Sequence, residues 1–106
     1  MVRYVITTLK QGVKAEDYER WVREYDYRVA KTLPSIVSYT THRIVGPING
    51  AAEAGWNYIE RIEVRDVEQY QKDLGSPAGQ ELLRQLYDNY LERPRNIFFW
   101  ADPIPE

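Results

Sequence analysis

The stretch that decides the fold is residues 15–34, AEDYERWVREYDYRVAKTLP. Its apolar and aromatic residues are spaced three and four apart, which is typical of an amphipathic helix with one face on a core. Acidic residues in the first turn suit the helix dipole, and Pro34 ends the pattern. We therefore predict a helix from about Ala15 to Leu33. The residues that form its apolar stripe are Tyr18, Trp21, Val22, Tyr25, Val29 and Leu33.

Charged and phenolic side chains lie beside this apolar stripe, in the run REYDY at residues 23–27. At about 100° per residue, Asp26 falls on the border of the stripe. A carboxyl group that is partly removed from water has a raised pKa and carries protons better near neutral pH. Asp26 is therefore a candidate catalytic residue, and the alternative is an ordinary solvated helix acid.

The rest of the chain predicts strands and two further helical segments. Residues 4–9, 35–45 and 56–64 are rich in β-branched and aromatic residues, with the alternation of strands. Asp66 offers an N-cap for a short helix through Leu74, Ser76 and Pro77 start another helix to about Glu92, and residues 95–101 form the last strand. The order βαββαβ predicts an α+β, ferredoxin-like sandwich with one four-stranded antiparallel sheet and helices on one face.

Composition limits the function. The 106 residues suit a single domain over 1–106, and a net charge of -2 with interleaved acids and bases argues against nucleic acid as a partner. The absence of cysteine excludes thiolate chemistry, and a single histidine cannot build a multi-His metal site, so we expect no metal. The N-terminal segment is too short and polar for a signal peptide or membrane span, so we expect no membrane partner and a cytoplasmic protein.

A predicted sheet of this kind leaves one face without helices. The apolar residues expected there form a set that is too large to leave in water. Pairing two such sheets across a two-fold axis would bury them, so we predict a homodimer. The set comprises Val5, Leu9, Ile36, Ile44, Ile59 and either Phe98 or Phe99.

Between the second and third strands lies GPINGAAEAG, residues 46–55, with three glycines and a proline. This composition indicates a loop, which is either a lid or a plain hairpin connection.

Four motifs, together with the order of elements, resemble the RedY-like (HapK) family over nearly the whole chain. They are DYERWVREYDY at 17–27, LPSIVS at 33–38, YIERIEV at 58–64 and ADPI at 101–104. The resemblance implies the dimeric α/β-barrel superfamily and a bacterial role in pyrrole and indole alkaloid pathways of the prodiginine and bisindole type. It further implies condensation or cyclisation of an aromatic intermediate without an organic cofactor.

Two activities of other dimeric barrels do not transfer. Polyketide cyclases use a His in the first strand and another after the broken helix, where this chain has Tyr4 and the run 76–79, SPAG. Haem-degrading relatives need an axial His, which would have to be His42, and its strand parity argues against that role.

Strand parity selects the residues that face the helices. If the first strand presents Tyr4, Ile6 and Thr8, as in the barrels it resembles, the third presents Tyr58, Glu60 and Ile62 and the second presents Val37, Tyr39 and Thr41. Glu60 would then lie between sheet and helices, as a catalytic group or in a structural network, hydrogen-bonded to Tyr39, Tyr58 or Tyr4.

A slip of one residue in register would turn Glu60 outward and His42 inward. Histidine is a common general acid or base, so His42 is a further catalytic candidate or a structural residue.

The chain is rich in aromatic residues, with three Trp and nine Tyr. Such rings either wall a flat pocket for an aromatic small-molecule substrate or fill a small core. The candidate substrate-binding residues are Tyr4, Trp21, Tyr25, Tyr39, Tyr58 and Trp100.

We expect Asp26 or Glu60 to move a proton while the pocket positions the substrate, with no cofactor. The alternatives are a cofactor-free monooxygenase and a non-catalytic binding protein for an unstable pathway intermediate.

Overall fold

The computed structural model describes residues 1–46 and 55–106. The predicted lid or hairpin at 46–55 therefore lies outside the described residues, apart from its two terminal glycines. No helix in the described ranges is long and apolar enough to cross a membrane. The strands are β1 (Val2–Thr7), β2 (Ile36–Arg43), β3 (Tyr58–Val64) and β4 (Ile97–Ala101). The helices are α1 (Ala15–Trp21), α2 (Tyr27–Ala30), α3 (Val67–Gly75) and α4 (Pro77–Asn89). A π-helical turn at Val22–Asp26 joins α1 to α2, and a 3-10 turn at Arg93–Arg95 precedes β4.

The four strands form one sheet in the order β2-β3-β1-β4, and every neighbouring pair is antiparallel. Buried side chains of the sheet pack against buried side chains of the helices, such as Tyr58 against Tyr18 and Leu86. The predicted ferredoxin-like α+β sandwich is therefore confirmed.

The two predicted helix starts after β3 are present. Asp66 accepts a hydrogen bond from the backbone N–H of Glu68 at 3.1 Å. Ser76 accepts one from the backbone N–H of Gly79 at 3.2 Å, and Pro77 occupies the first turn of α4. Each side chain satisfies an N–H group that has no partner within its helix. Asp66 therefore marks the start of α3, and Ser76 marks the junction between α3 and α4.

The predicted orientation of β1 is wrong by one residue. Val5 pairs with Glu60 and Arg3 with Ile62, and directly paired residues of antiparallel strands share a face. Arg3 and Val5 therefore point towards the helices, while Tyr4 points away. The sequence could not decide this because both rows of β1 carry apolar residues. Burial of Val5 against Ile62 and neighbouring core residues decides it.

The predicted orientation of β2 is correct for Tyr39 and Thr41 but wrong for Val37. The ladder between β2 and β3 is irregular between Ile36 and Ser38. Ile36 packs on the core cluster that contains Val5, whereas Val37 is 48% exposed. A bulge of this kind places one extra residue in the strand, which alternation alone cannot predict.

The sheet face opposite the helices carries a smaller apolar set than predicted. Val5 and Ile36 belong to the core instead, and Leu9 packs against the core cluster that contains Tyr58. Ile59 pairs with Ile6, which pairs with Ile97, and Tyr4 pairs with Phe99. We call this group, which consists of Tyr4, Ile6, Ile59, Ile97 and Phe99, the open apolar face.

Candidate functional site

A π-helical turn directs Asp26 into the protein. The sequence pattern predicts Tyr25 and Val29 as the inward residues after Val22, but the buried residues are Asp26 and Ala30. A π turn closes hydrogen bonds from residue i to i+5 and so holds one residue more than an α turn. After the π turn, the residues that face the core therefore lie one position later in the sequence than predicted. Asp26 is only 3% exposed.

Asp26 meets one residue from each of two neighbouring strands. The hydroxyl oxygen of Tyr39, on β2, lies 2.6 Å from Oδ2 of Asp26 and 2.6 Å from Oε1 of Glu60, on β3. Thr41 donates a hydrogen bond from Oγ1 to the same hydroxyl at 3.0 Å. Glu60 is 6% exposed, and its predicted hydrogen bond to Tyr39 is confirmed. We call Asp26, Tyr39 and Glu60 the acid cluster.

The acid cluster must hold one proton beyond the phenol's own. A phenol has a single hydrogen, so Tyr39 can donate to only one of the two carboxyl groups. At 2.6 Å the second carboxyl oxygen needs a hydrogen between itself and the phenol oxygen. Either Asp26 or Glu60 is therefore a carboxylic acid that donates to Tyr39, while the other accepts from it.

The electrostatics of the acid cluster agree with this proton count. Burial and, next to it, the charge of Glu60 raise the pKa of Asp26 to about 8, even though the hydrogen bond from Tyr39 opposes the rise. Burial also raises the pKa of Glu60, against the opposing effects of Tyr39 and the Arg3 cation. Two such groups titrate as a pair. The pair can release and recover a proton close to neutral pH.

Two cavities meet at Glu60. The inner cavity, of about 50 Å³, is lined by the acid cluster and by apolar side chains such as Leu86. The outer cavity, of about 270 Å³, is lined by Glu60 and by residues of β1, β4 and α4. A cavity of about 150 Å³ can hold benzene, so the outer cavity is large enough for two fused aromatic rings. Glu60 is the member of the cluster that a molecule in the outer cavity can touch.

A second polar network joins α1 to β2 and β3. Tyr58 donates a hydrogen bond to Glu19 at 2.7 Å, and Nε of Arg43 donates to the same carboxylate at 2.8 Å. Hydrogen bonds from Arg43 and Tyr58 lower the pKa of Glu19 to about 2, so Glu19 stays ionised. Tyr58 therefore pairs with Glu19 and not with Glu60. Glu19 therefore does not take up or release a proton near neutral pH.

Two predicted pocket aromatics belong to the core. Trp21 is 8% exposed and donates a hydrogen bond from Nε1 to Gln85 at 2.8 Å, and the ring of Tyr25 packs 5.7 Å from the Trp21 ring. Neither residue lines the inner or the outer cavity. Trp100 lies at the sheet edge, with its ring 5.7 Å from that of Tyr70.

His42 and Tyr4 lie away from the acid cluster. His42 is exposed and pairs with Ile59, whose side chain is on the open apolar face. Tyr4 packs against Phe99 on the same face, with 5.9 Å between the ring centres. The register that turns Glu60 inward therefore turns His42 outward, so the structure does not place His42 with the candidate catalytic groups.

Sequence reasoning missed several side chains of the outer cavity. Arg3 is the only charged residue in β1, and the alternation of this strand gave no sign that it faces the helices. Within the described ranges, no three His, Asp or Glu side chains form a group that could hold a metal ion. The other missed residues of the outer cavity include Tyr70, Arg93, Asn96 and Phe98.

The fold and the site define a small ferredoxin-like α+β domain with a buried carboxyl pair between its sheet and its helices. The sequence profile of the REDY-like protein HapK matches residues 1–104, and the chain belongs to this family. The predicted RedY-like resemblance is thus confirmed. Among curated proteins, none matches this chain.

Solved structures share the fold. HapK from Hahella chejuensis is 20% identical with a TM-score of 0.75, and the match covers 100% of this chain and 97% of that one. A dabb family protein with a ferredoxin-like fold from Mesorhizobium loti is 13% identical, with a TM-score of 0.73 and coverage of 98% and 96%. The hydroxynitrile lyase from Passiflora edulis is 13% identical, with a TM-score of 0.72 and the same coverage. At these identities the likeness concerns the fold alone.

Proposed function

We propose that this protein is a cofactor-independent acid–base enzyme of secondary metabolism that promotes cyclisation or condensation of a pyrrole- or indole-type aromatic intermediate. The observation that carries the proposal is the Tyr39 hydroxyl at 2.6 Å from both the Asp26 and the Glu60 carboxyl groups. A buried acid and a buried base joined by one hydroxyl can give and take a proton without a net change in charge.

The reaction that suits this arrangement is attack by an electron-rich ring carbon on a carbonyl carbon. The ring carbon supplies the electron pair of the new C–C bond, and the carbonyl oxygen takes a proton from the acid and becomes a hydroxyl group. The ring carbon then loses its own proton to the carboxylate, which restores aromaticity. The acid cluster ends the cycle with the protons it had at the start.

The positions of the two carboxyl groups divide the work between them. Glu60 lines both cavities and is therefore the group that exchanges protons with the substrate. Asp26 lines only the inner cavity of these two and acts as the proton reservoir behind Tyr39. Transfer along the two 2.6 Å hydrogen bonds would move the acid proton from Asp26 to Glu60 through the Tyr39 hydroxyl.

The expected rate enhancement is moderate. One positioned proton-transfer group contributes about 100- to 10,000-fold. Holding a flexible substrate in a reactive conformer can add several kcal/mol. Together these effects suit a ring closure that also occurs slowly without an enzyme.

We also propose a homodimer that packs two open apolar faces together. Phe99 is 45% exposed and Ile97 is 42% exposed on β4, and Ile6 of β1 lies between Ile97 and Ile59 on β3. Apolar residues grouped on one sheet face favour burial against a second copy. This dimer leaves the helix face, and so the acid cluster, within each protomer.

The test is incubation of the purified protein with reactive bipyrrole and bisindole intermediates, with and without oxygen, followed by mass spectrometry. We expect an isomeric or dehydrated product that forms equally well without oxygen. We expect Glu60→Gln and Asp26→Asn to lower turnover about 100-fold or more. Asp17→Asn is the matched control, because Asp17 is an exposed acid of the same helical region that pairs with Arg20 at 2.6 Å.

Other outcomes would replace the proposal. A product that gains oxygen and requires it would identify a cofactor-free monooxygenase. Tight binding with unchanged product ratios, together with carboxyl variants that alter affinity alone, would identify a carrier of the intermediate. Full turnover in the Asp26→Asn, Glu60→Gln double variant would end the acid–base mechanism.

A further inference from the structure

The outer cavity contains two arginines without a carboxylate partner among the described residues. Neither Arg3 nor Arg93 takes part in any of the ion pairs that these residues form. Both side chains line the cavity. Arg3 is half-buried on the helix side of β1, whereas Arg93 is exposed at the cavity rim. The cavity wall therefore carries two positive charges at its entrance and along its side.

Aromatic rings hold both guanidinium groups in place. The central carbon of the Arg3 guanidinium lies 4.9 Å from the Phe98 ring centre, and Nη1 donates a hydrogen bond to the Tyr70 hydroxyl at 3.1 Å. The Arg93 guanidinium lies 4.6 Å from the Tyr87 ring centre. A guanidinium has five N–H donors in a rigid fork, and only one of those of Arg3 is used by a described side chain. The remaining donors suit the two oxygens of a carboxylate.

Glu60 does not cancel these charges. Glu60 is the acidic residue that lines the cavity. Tyr70 and Tyr87 line it as well, but their phenols are neutral. Glu60 shares a proton with Asp26 through Tyr39, so the pair carries at most one negative charge near neutral pH. The cavity is therefore positive overall, and its walls are aromatic. This combination attracts an aromatic anion.

We propose that the outer cavity binds an aromatic carboxylate, with its carboxylate on Arg3 and its ring against the cavity's aromatic side chains. Arg93 guides the anion at the rim. The inference rests on the proposed function and names its substrate class, because a ring held in this cavity lies next to Glu60. If Arg3 only ties Tyr70 to β1, it stabilises the cavity wall, and the cavity does not prefer a charged ligand to a neutral one.

Matched ligands separate these roles. Indole-2-carboxylate and indole-2-carboxamide have the same size and differ in charge, and calorimetry gives the affinity of each for the intact protein. We expect the carboxylate to bind at least roughly tenfold more tightly, as for a charge-assisted fork. Arg3→Gln should bring the two affinities within about twofold of each other, and Arg3→Lys should retain part of the preference. Arg93→Gln should lower carboxylate affinity less than Arg3→Gln does.

Arg28→Gln is the matched control, since Arg28 is exposed on α2 and does not line the cavity. It removes the same charge and should leave both affinities unchanged. Equal affinities in the wild-type protein would overturn the proposal, as would an Arg3→Gln variant that weakens both ligands and keeps their ratio. Circular dichroism of each variant ensures that folded proteins are compared.

Glu60→Gln separates this inference from the proposed function. The variant should still prefer the carboxylate, because Arg3 is unchanged. If the wild-type protein prefers the carboxylate but shows no turnover, the anion site is supported and the proposed enzyme activity is refuted. If the protein turns over uncharged substrates and shows no preference for the carboxylate, the enzyme activity is supported and the anion site is refuted.

Discussion

Replacement of Asp26 by Asn should make the protein more stable at high pH while it removes activity. The pKa of Asp26 is about 8 in the folded protein against an ordinary value of 3.8. Between these values the folded state binds a proton that the unfolded chain has lost, so the free energy of unfolding falls as pH rises. The stabilisation is complete below pH 4 and is lost as pH rises through about 8.

The size of the effect follows from the pKa difference. Each unit corresponds to about 1.4 kcal/mol, so the wild-type protein loses at most about 4 kcal/mol through Asp26 between pH 5 and pH 8. Asn has nearly the same shape as Asp but is neutral at every pH, so the Asp26→Asn variant does not lose this stability as pH rises. Glu60 contributes with the same sign in both proteins, because its pKa is also raised.

Urea unfolding of both proteins at intervals from pH 5 to pH 9 measures the effect. We expect the stability of Asp26→Asn relative to wild type to rise by about 4 kcal/mol from pH 5 to pH 8. Asp17→Asn, on the exposed side of α1, should show no such rise. Parallel stability curves for Asp26→Asn and wild type would refute the reasoning, because they would mean that Asp26 is ionised in the folded protein.

Further predictions concern the relay, the dimer and the helix joint. Tyr39→Phe removes the hydroxyl between the two carboxyl groups, so turnover should fall about 100-fold or more in a product assay while the fold is kept. Wild-type turnover should decline as pH rises through about 8, where Asp26 loses its proton, and a pH–rate profile checks this. Phe99→Glu should yield monomers in sedimentation velocity if the open apolar face forms the dimer, and dimers that persist would exclude that face. Gly79→Ala should destabilise the protein by about 1–3 kcal/mol in urea unfolding, because a Cβ there would lie 2.2 Å from the Asp73 carbonyl oxygen. Gly75→Ala is the control: a Cβ at that position meets nothing within 4 Å, so the free energy of unfolding should hardly change.

Local patterns in the sequence predicted much of the fold. The alternation of Tyr58, Glu60 and Ile62 put Glu60 on the helix side of β3, and the structure agrees. The caps at Asp66 and Ser76 depend on neighbours two or three residues away, so a linear sequence reveals them. Such features rest on short-range chemistry that needs no knowledge of tertiary structure.

The remaining errors have a tertiary cause. Both faces of β1 carry residues that suit a core, so only pairing with β3 could show that Arg3 and Val5 turn inward. The π turn that buries Asp26 depends on packing against the sheet, and the helical pattern alone placed this residue at a border. The outer cavity was missed because it joins residues that are distant in the chain, from Arg3 to Phe98.

The central claim is that Asp26 and Glu60 share a proton through Tyr39. Carbon-13 NMR of the protein labelled at the Asp and Glu side-chain carboxyl carbons, titrated from pH 4 to pH 10, tests it most directly, with Asp26→Asn and Glu60→Gln to assign the signals. We expect one carboxyl group to remain protonated at pH 7 and to titrate near pH 8, and this step to vanish in Asp26→Asn. Complete ionisation of both groups below pH 5 would contradict the claim.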